Sequence, residues 1–382
     1  IFLSSLLILL HIKIKLLMLK KTLILSFNFP PTIGGIETYS KELFYYYEKH
    51  NNVKFYTPTK KISNKPFVRG IELFYFIMKS FFKFRNNKFH LIQVTSFNLW
   101  LFCYFYSLFN KETKFLINIW GLEFAYENKK GLLPKIYRTI FINKKILRKE
   151  SFHYLVSSEA SKDLLMKSDL KEENINLIKL GVYKKDIVDS VKNLDLDNKY
   201  FLFVGRLIKR KGLSWFIKNI LPKFPNYKLK VVGPLGEKEE SLALSSNNVE
   251  YLGVVDNNEL KKLRQEATVC VVPNIFLEKD DDFEAFCFVT IESVASGSIV
   301  VASDYQGISE ALLHGKIGNL ANPSDIDSWI VNIKEITSLK NIDRNRLINE
   351  RIKILKKELT WEKLFEQTNN LHKYILSKQD SN

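Results

Sequence analysis

Cysteine is scarce in this chain of 382 residues, and the three that are present, Cys103, Cys270 and Cys287, lie far apart in the sequence. None of them belongs to a Cys-x-x-Cys pair, so neither a disulfide framework nor a structural zinc site is indicated. Isolated cysteines of this kind are typical of reduced thiols in a cytoplasmic protein. We therefore expect a cytoplasmic location.

The first residues resemble neither a membrane-spanning helix nor a signal peptide. Residues 1–10 are largely apolar, but a spanning helix needs about 20 such residues. Lys13 and Lys15 follow this run, whereas a signal peptide carries its basic residues in front of the apolar segment. We expect the fold to begin at Met18, with residues 1–17 a non-native or disordered extension.

Acidic residues are sparse in the first half of the chain. Residues 1–190 contain 31 Lys and Arg against 15 Asp and Glu, and therefore carry nearly all of the net charge of +17. Two basic clusters, residues 79–85 and 144–149, mix Lys and Arg with Phe and Ile. Such a mixture suits an anionic membrane surface, although a solvated basic face has the same composition. Nucleic acid is the competing partner, but no helix-turn-helix, RNA-binding or zinc-finger pattern accompanies the charge.

Length and composition predict two globular domains. The chain exceeds what one hydrophobic core usually holds, and 46% of its residues are hydrophobic. Short apolar runs of β type alternate with helical patterns, which predicts an α/β fold with parallel sheets. The predicted strands are 23–27, 53–56, 91–94, 114–119, 153–157, 200–204, 228–232, 250–252, 269–272 and 299–302. The predicted helices include 38–50, 213–220, 259–266 and a final helix that opens at Thr360.

The same pattern suggests domain boundaries. We expect an N-terminal domain over residues 18–185, a linker over 186–198 and a C-terminal domain over 199–358. A final helix is expected within residues 359–382.

Two carboxylates, Glu284 and Glu292, indicate the chemistry best. They flank the predicted start of a helix near Val289, after the buried strand 269–272 and an acidic loop. Both carboxylates can therefore reach one ligand whose negative part lies on the free N–H groups at the helix start. Carboxylates accept hydrogen bonds from hydroxyls while N–H groups donate to phosphate. A nucleotide sugar has this distribution of hydroxyls and phosphates.

Two further segments fit an anionic ligand. Arg206 directly follows the strand 200–204 and a glycine, and Lys211 follows in the same loop, so both supply cations that neutralise a leaving diphosphate. Gly34 and Gly35 lie between the first strand and the first helix, where a phosphate can approach the backbone closely.

These three segments, in this order and spacing, resemble the motifs of the retaining family 4 glycosyltransferases, which have the GT-B fold. The resemblance implies two Rossmann-like, doubly wound domains that face a central cleft, the first (18–185) binding the acceptor and the second (199–358) the nucleotide-sugar donor. It also implies that the helix within residues 359–382 crosses back to the first domain. It further implies that Glu292 holds the ribose hydroxyls of the donor and that Glu284 lies against the donor sugar. Backbone groups of Phe286, Cys287 and Phe288 would contact the sugar hydroxyls and the diphosphate.

The sequence departs from the family's pattern at several positions. The family usually has glycine where this chain has Ala285 and Cys287, which leaves the identity of the sugar open. Many relatives have His before Gly at the end of a strand of the first domain, where this chain has Trp120. Trp120 either walls the acceptor site or is a buried core aromatic. The acidic loop 280–282 imitates a metal-binding Asp-x-Asp site, but we expect no metal and no cofactor, because the surrounding motifs are those of a metal-independent enzyme.

The resemblance therefore implies a retaining, metal-independent glycosyltransferase. It would move a sugar from a nucleotide-sugar donor to a polysaccharide or lipid-linked acceptor in the biosynthesis of a surface glycan such as lipopolysaccharide. We expect it to be peripheral on the inner membrane face and to have no nucleic-acid partner. The alternatives are a GT-B sugar-nucleotide epimerase and, from another class, a basic nucleic-acid-binding protein.

Overall fold

The computed structural model describes residues 20–32, 34–63, 65–125, 144–190, 199–277 and 283–377. The chain divides into two compact units. The first contains the chain up to Ser157, Ser161–Ile178 and the chain from Phe365 onward, and the second contains Ser158–Ala160 and Lys179–Leu364. The predicted extension 1–17, most of the predicted linker and the acidic loop 280–282 lie outside the described residues.

The part of the chain up to residue 178 alternates strands and helices. The strands are β1 (Thr22–Leu25), β2 (Val53–Tyr56), β3 (Leu91–Val94), β4 (Lys114–Asn118), β5 (Phe152–Val156) and β6 (Ile175–Leu177). The helices are α1 (Gly35–Tyr47), α2 (Pro66–Phe84), α3 (Trp100–Phe109), α4 (Leu122–Ala125), α5 (Lys144–Leu147) and α6 (Glu159–Lys167). All described pairings are parallel, in the order β2-β1-β3-β4-β5-β6.

The second unit repeats the plan. Its strands are β7 (Tyr200–Val204), β8 (Lys228–Val232), β9 (Val249–Gly253), β10 (Val269–Val272), β11 (Val300–Ser303) and β12 (Asn319–Ala321). Its helices are α7 (Leu213–Asn219), α8 (Lys238–Leu242), α9 (Asn257–Glu266), α10 (Phe288–Ala295), α11 (Gly307–Ala311), α12 (Ile326–Thr337) and α13 (Asn341–Glu358). The strands are again parallel, in the order β12-β11-β10-β7-β8-β9. The final helix, α14 (Trp361–Ser377), begins in this unit, and its residues from Phe365 belong to the first.

The predicted α/β class with two parallel sheets is confirmed, and each of the ten predicted strands is present. The first helix was placed too late, since α1 begins at Gly35 rather than Thr38. The sequence analysis also missed β6 and β12, two edge strands of three residues each. Strands this short carry too few residues for an apolar alternation to appear.

The cores follow from the parallel topology. Every residue of β1, β3, β5, β10 and β11 is buried, because crossover helices cover both faces of a parallel sheet. Aromatic side chains such as Phe97, Trp100 and Phe115 fill much of the first core. Among the described helices, none combines the length and the apolarity that crossing a bilayer demands.

A buried polar network joins α14 to the first sheet. Nε2 of His372 lies 2.9 Å from Oε1 of Gln93 in β3, and an amide oxygen only accepts, so the ring proton lies on Nε2. The amide nitrogen of Gln93 donates to Asn118 Oδ1 at 3.0 Å. Burial lowers the pKa of His372 to about 4, because a charged imidazolium would lose its solvation there. The last helix is thus fastened to the first unit by a histidine that stays neutral.

This histidine predicts an acid-sensitive stability. The unfolded chain takes up a proton near the ordinary histidine pKa of 6.5, whereas the folded chain resists protonation down to about 4. The contribution of His372 to the free energy of unfolding is therefore fully present above pH 6.5 and is lost as the pH falls toward 4. Between about pH 7 and about pH 5 the free energy of unfolding should fall by about 2 kcal/mol through this residue.

Urea unfolding at the two pH values measures this effect. The variant His372→Gln should show a smaller loss between them than the wild type. His314→Asn removes an exposed imidazole and should retain the wild-type loss. An equal loss in wild type and His372→Gln would contradict the assignment.

Candidate functional site

The candidate site of the second unit lies where the order of its strands reverses. β7 and β10 are neighbours in the sheet, while the chain runs outward from β7 to β9 on one side and from β10 to β12 on the other. In open parallel sheets, ligands bind beyond the carboxyl ends of the strands at such a switch point. Lys211 follows β7 and Glu284 follows β10, so the topology brings the two predicted segments together.

A glycine permits the close approach of these two loops. Lys209–Lys211 form a single 3₁₀ turn that ends at Gly212, whose φ of 68° lies in the left-handed region. A Cβ at this position would overlap the carbonyl oxygen of Pro273, just after β10. Glycine alone satisfies both conditions. The turn therefore packs directly on the end of the neighbouring strand.

Glu284 accepts three side-chain hydrogen bonds at one carboxylate oxygen. Arg210 and Lys211 each form an ion pair with Oε2, and the side chains of all three residues are largely buried. Nδ2 of Asn274 donates to the same oxygen at 3.2 Å. These contacts fix the position of the carboxylate at the carboxyl edge of the sheet.

The electrostatics of this cluster favour an ionised carboxylate. Burial by itself would raise the pKa of Glu284, but the nearby charges of Lys211 and Arg210 outweigh it and hold the pKa below its usual value. Glu284 is therefore a carboxylate at neutral pH, able to accept hydrogen bonds from hydroxyl groups. Two cations around one carboxylate leave a net charge of +1, which favours an anionic ligand beside it.

The loop that carries Glu284 is held in place from α11. The backbone N–H of Glu284 donates to Oε1 of Gln306 at 2.7 Å, and the N–H of Gly307 donates to the carbonyl of Glu284 at 3.0 Å. A Cβ at Gly307 would overlap the carbonyl oxygen of Ala285. The backbone on both sides of Glu284 is thus positioned by contacts from one glycine-led helix.

Glu292 lies in α10, as the fifth residue of Phe288–Ala295, while Glu284 precedes that helix. This is the arrangement expected from the sequence, with the helix starting one residue earlier than predicted. Nη2 of Arg264 donates to Oε2 of Glu292 at 2.6 Å. The Arg264 side chain is buried, whereas that of Glu292 remains 43% exposed. Arg264 therefore orients a carboxylate that still has accepting positions open to a ligand.

The residues between the two carboxylates form the start of α10. Cys287 is the N-cap of the helix, and burial raises the pKa of its thiol to about 11, so the thiol stays protonated. Phe286 is buried and its ring lies 6.0 Å from that of Phe288, while Val289 is half-buried. The backbone N–H groups of the first turn have no carbonyl partner four residues earlier in the helix, as at any helix start.

Arg206 is placed differently from Lys211. Its side chain is exposed at the end of β7, and the cations that contact Glu284 in the described structure are Arg210 and Lys211. Sequence reasoning did not single out Arg210, Asn274, Arg264 or Gln306. Arg210 stands next to Lys211 in a run of three basic residues, and that adjacency was the one available signal.

In the first unit, the buried side chain of Glu37 holds the predicted glycine loop in place. Gly34 is the N-cap of α1, which begins at Gly35. The side chain of Glu37, in the first turn, accepts from Asn28 Nδ2 at 2.8 Å and lies 3.8 Å from Nη2 of Arg69. These contacts join the loop after β1 to α1 and α2.

Trp120 lies at the end of β4 and is half-buried. Its Nε1 donates to the carbonyl of Thr95 at 2.8 Å, and its ring meets Tyr39 edge-on at 5.2 Å. The ring is thus partly packed in the core, and its role as a wall of the acceptor site stays a prediction. Nearby, burial raises the pKa of Glu123 to about 7, against the opposing effect of hydrogen bonds from the backbone of Glu123, Trp120 and Gly121. The sequence analysis did not identify this carboxylate.

The sequence analysis predicted that the protein has no metal site. The acidic loop 280–282, which imitates one, lies outside the described residues. Within the described ranges, no group of three or more His, Cys, Asp or Glu side chains is arranged to hold a metal ion. The expectation of a metal-free site therefore stays a prediction.

Comparison with known proteins finds a family match in the second unit. Residues 184–353 match the family described as glycosyl transferases group 1. The lipopolysaccharide 1,2-N-acetylglucosaminetransferase of Salmonella typhimurium is 26% identical over 204 residues, which cover 48% of this chain and 51% of that protein. The chain spans about half the length of the curated relatives it matches.

Solved structures extend the likeness to nearly the whole chain. Sucrose-phosphate synthase from Thermosynechococcus elongatus aligns with a TM-score of 0.73 at 20% identity, covering 94% of this chain and all of that one. Anabaena HepE in complex with UDP-glucose aligns with a TM-score of 0.67 at 16% identity, again over 94% of this chain and all of that one. The chain has the GT-B fold, and the resemblance noted in its sequence is confirmed. The epimerase alternative is not favoured.

The contact between α11 and the Glu284 loop predicts the effect of a small substitution. Gly307→Ala would drive a methyl group into the carbonyl of Ala285, so the loop must move. We expect a loss of roughly 2 kcal/mol in the free energy of unfolding, measured by urea denaturation. Gly70→Ala is the matched control, because an added Cβ at this position in α2 meets no atom within 4 Å.

The control should keep the wild-type stability or gain up to about 1 kcal/mol, since alanine favours a helix over glycine. If Gly307→Ala unfolds at the same urea concentration as Gly70→Ala, the loop is not held as described.

Proposed function

We propose that this protein is a retaining glycosyltransferase that moves a sugar from a nucleotide-sugar donor to a polysaccharide or lipid-linked acceptor. The observation that carries the proposal is the cluster of Lys211, Arg210 and Glu284 at the switch point of a group 1 glycosyltransferase unit. Glu292 projects from the adjoining helix α10. Support for a nucleotide-sugar donor also comes from HepE, whose structure contains UDP-glucose.

Each group in the donor site matches one part of such a ligand. Glu292, oriented by Arg264, accepts from the ribose hydroxyls, and ionised Glu284 accepts from a hydroxyl of the sugar. The N–H groups of Phe288 and Val289 at the start of α10 donate to the diphosphate. Backbone groups of Phe286 and Cys287 complete the contacts to the sugar and the diphosphate.

The reaction requires stabilisation of the leaving group. The bond between the anomeric carbon and the diphosphate oxygen breaks, and a bond to the acceptor oxygen forms on the same face of the sugar. The acceptor proton passes to the departing phosphate oxygen, so no separate base is needed. Lys211 and Arg210 neutralise the charge that develops on the diphosphate, with Arg206 as a further cation at the strand end. In this proposal these cations do what a divalent metal does in other transferases.

Charge supports a peripheral location at the cytoplasmic face of a membrane. The first half of the chain carries a net charge of +16, from 31 basic and 15 acidic residues. Roughly 1 kcal/mol of attraction per basic residue near an anionic surface suffices for attachment by a few side chains. We assign this excess charge to lipid rather than to nucleic acid. A lipid-linked acceptor agrees with similarity to a lipopolysaccharide-modifying transferase.

Replacing Glu292 and replacing Glu284 should affect different quantities, nucleotide affinity in the first case and turnover in the second. Glu292→Ala should weaken binding of UDP or GDP roughly tenfold to a hundredfold, since charge-assisted hydrogen bonds are worth about 1.5 to 3 kcal/mol. Glu284→Ala should lower turnover more than nucleotide affinity, because it contacts the sugar. Calorimetric titration with both nucleotides measures the affinities, with Glu259→Ala, an exposed carboxylate of α9, as the control. Unchanged affinity in Glu292→Ala would remove it from the donor site.

The cations predict a loss in rate. Lys211→Ala and Arg206→Ala should each slow sugar transfer on the order of a hundredfold, because they act on charge that develops in the transition state. Lys209→Ala removes an exposed cation from the same turn and should have little effect. Transfer should also persist in EDTA. Activity that disappears on chelation and returns with manganese would contradict the metal-free mechanism.

A further inference from the structure

Helix α2 exposes an apolar stripe on the side turned away from its core. Phe67 is 81% exposed, Ile71 56%, Phe74 61% and Phe82 58%, and their spacing of three, four and eight residues places them on one helical face. Phe76, Ile77 and Phe84 of the same helix are buried in the first core. The fold therefore covers only part of the apolar surface of the helix.

The stripe continues onto α3 and is flanked by cations. Phe81 of α2 lies 5.8 Å from the ring of Phe109, which is 71% exposed at the end of α3. Lys79 and Arg85 lie over the rings of Tyr75 and Phe82, at 5.8 and 5.3 Å. A broad aromatic surface edged by Lys and Arg is what a protein presents to the interface of an anionic bilayer. Charge complementarity therefore favours lipid as the occupant.

A pocket opens beside this stripe, between α2 and the segment 57–62 that follows β2. Its volume is about 310 Å³. Phe27, Tyr56 and Phe76 form apolar walls, and Lys60, Lys61 and Lys79 are the basic residues of the lining. Phe27 follows β1 and Tyr56 ends β2, so the pocket lies at the carboxyl edge of the first sheet, the edge that also carries Gly34 and Gly35.

The single carboxylate of the pocket has a structural partner. Oε2 of Glu72 accepts from the backbone N–H of Ser63 at 2.9 Å, which ties the segment after β2 to α2. Against the one charge of Glu72, the three lysines leave the pocket with a net charge of +2. On the helix, Tyr75 and Lys79 lie between the exposed stripe and the pocket. An amphiphile can therefore place its chain along the stripe and its charged group in the pocket.

We propose that this pocket binds the phosphate of a lipid-linked acceptor while the stripe of α2 lies in the membrane interface. The ligand is a membrane lipid that carries a phosphate group near its apolar chain. Lys60, Lys61 and Lys79 bind the phosphate, and the aromatic walls pack on the first carbons of the lipid. The inference rests on the proposed function, in that the bound lipid is the acceptor, but its test needs no sugar transfer.

Vesicle binding by the full chain tests the pocket. Phosphatidylcholine vesicles are prepared with phosphatidic acid or with phosphatidylserine, adjusted to equal surface potential, and binding is measured by sedimentation. A site for phosphate predicts tighter binding to the phosphatidic acid vesicles. Lys60→Ala/Lys61→Ala should lower that affinity about tenfold and abolish the preference. Lys49→Ala/Lys88→Ala is the charge-matched control, because both lysines precede strands and so lie at the opposite edge of the sheet.

A second variant tests the role of the aromatic stripe in membrane binding. Phe67→Ser/Phe74→Ser should weaken binding to both kinds of vesicle and keep the preference for phosphatidic acid. Equal binding of the wild type to both vesicles, or an equal loss in the two lysine pairs, would overturn the pocket in favour of diffuse electrostatic attraction. Inorganic phosphate that displaces the protein as well as soluble short-chain phosphatidic acid does would show a site for free anions and overturn the lipid assignment.

Failure of this inference is separable from failure of the proposed function. Calorimetric titration of the same protein with UDP reports on the second unit without lipid. Nucleotide binding without a preference for phosphatidic acid would reject the lipid pocket and leave the transferase proposal standing. A preference for phosphatidic acid without any nucleotide or nucleotide-sugar binding would reject the transferase.

Discussion

The buried carboxylate of Glu284 can exist in this fold only because two cations and an amide reach it. A single ionised carboxylate in a largely buried position is costly, and its ordinary response is to take up a proton. Here Arg210 and Lys211 arrive from the loop after β7, while Asn274 arrives from the end of β10. This compensation requires β7 and β10 to be neighbours and Gly212 to let the turn approach Pro273. The chemistry of the site thus depends on the strand order of the sheet.

The same charges serve two purposes. They keep Glu284 ionised, so that it accepts hydrogen bonds, and in the proposed donor site they leave one unit of positive charge for the diphosphate. A ligand phosphate would interact with Lys211 and Arg210 while both remain paired with Glu284. The two cations are therefore already in position before the ligand binds. Preorganised charge of this kind stabilises a leaving group without a cost of reorganisation during the reaction.

The first unit depends on a different set of contacts. Its core is closed by a helix from the far end of the chain, whose neutral His372 completes a chain of amides through Gln93 and Asn118. Its outer surface leaves the aromatic stripe of α2 uncovered beside a cationic pocket. The sequence analysis noted a mixed basic and aromatic cluster at residues 79–85, but not the helix that arranges it.

The sequence by itself determined the alternation of strands and helices, the two-unit plan and the positions of Gly34, Lys211, Glu284 and Glu292. These features depend on local periodicity and on motif spacing, which one chain displays directly. Only the tertiary structure decided that Arg210 joins Lys211 at Glu284 while Arg206 remains exposed, and that Arg264 orients Glu292. Adjacent basic residues look alike in a sequence. Which of them reaches a carboxylate more than seventy residues away depends on the direction of a single turn and on the order of strands, and neither is visible in local pattern.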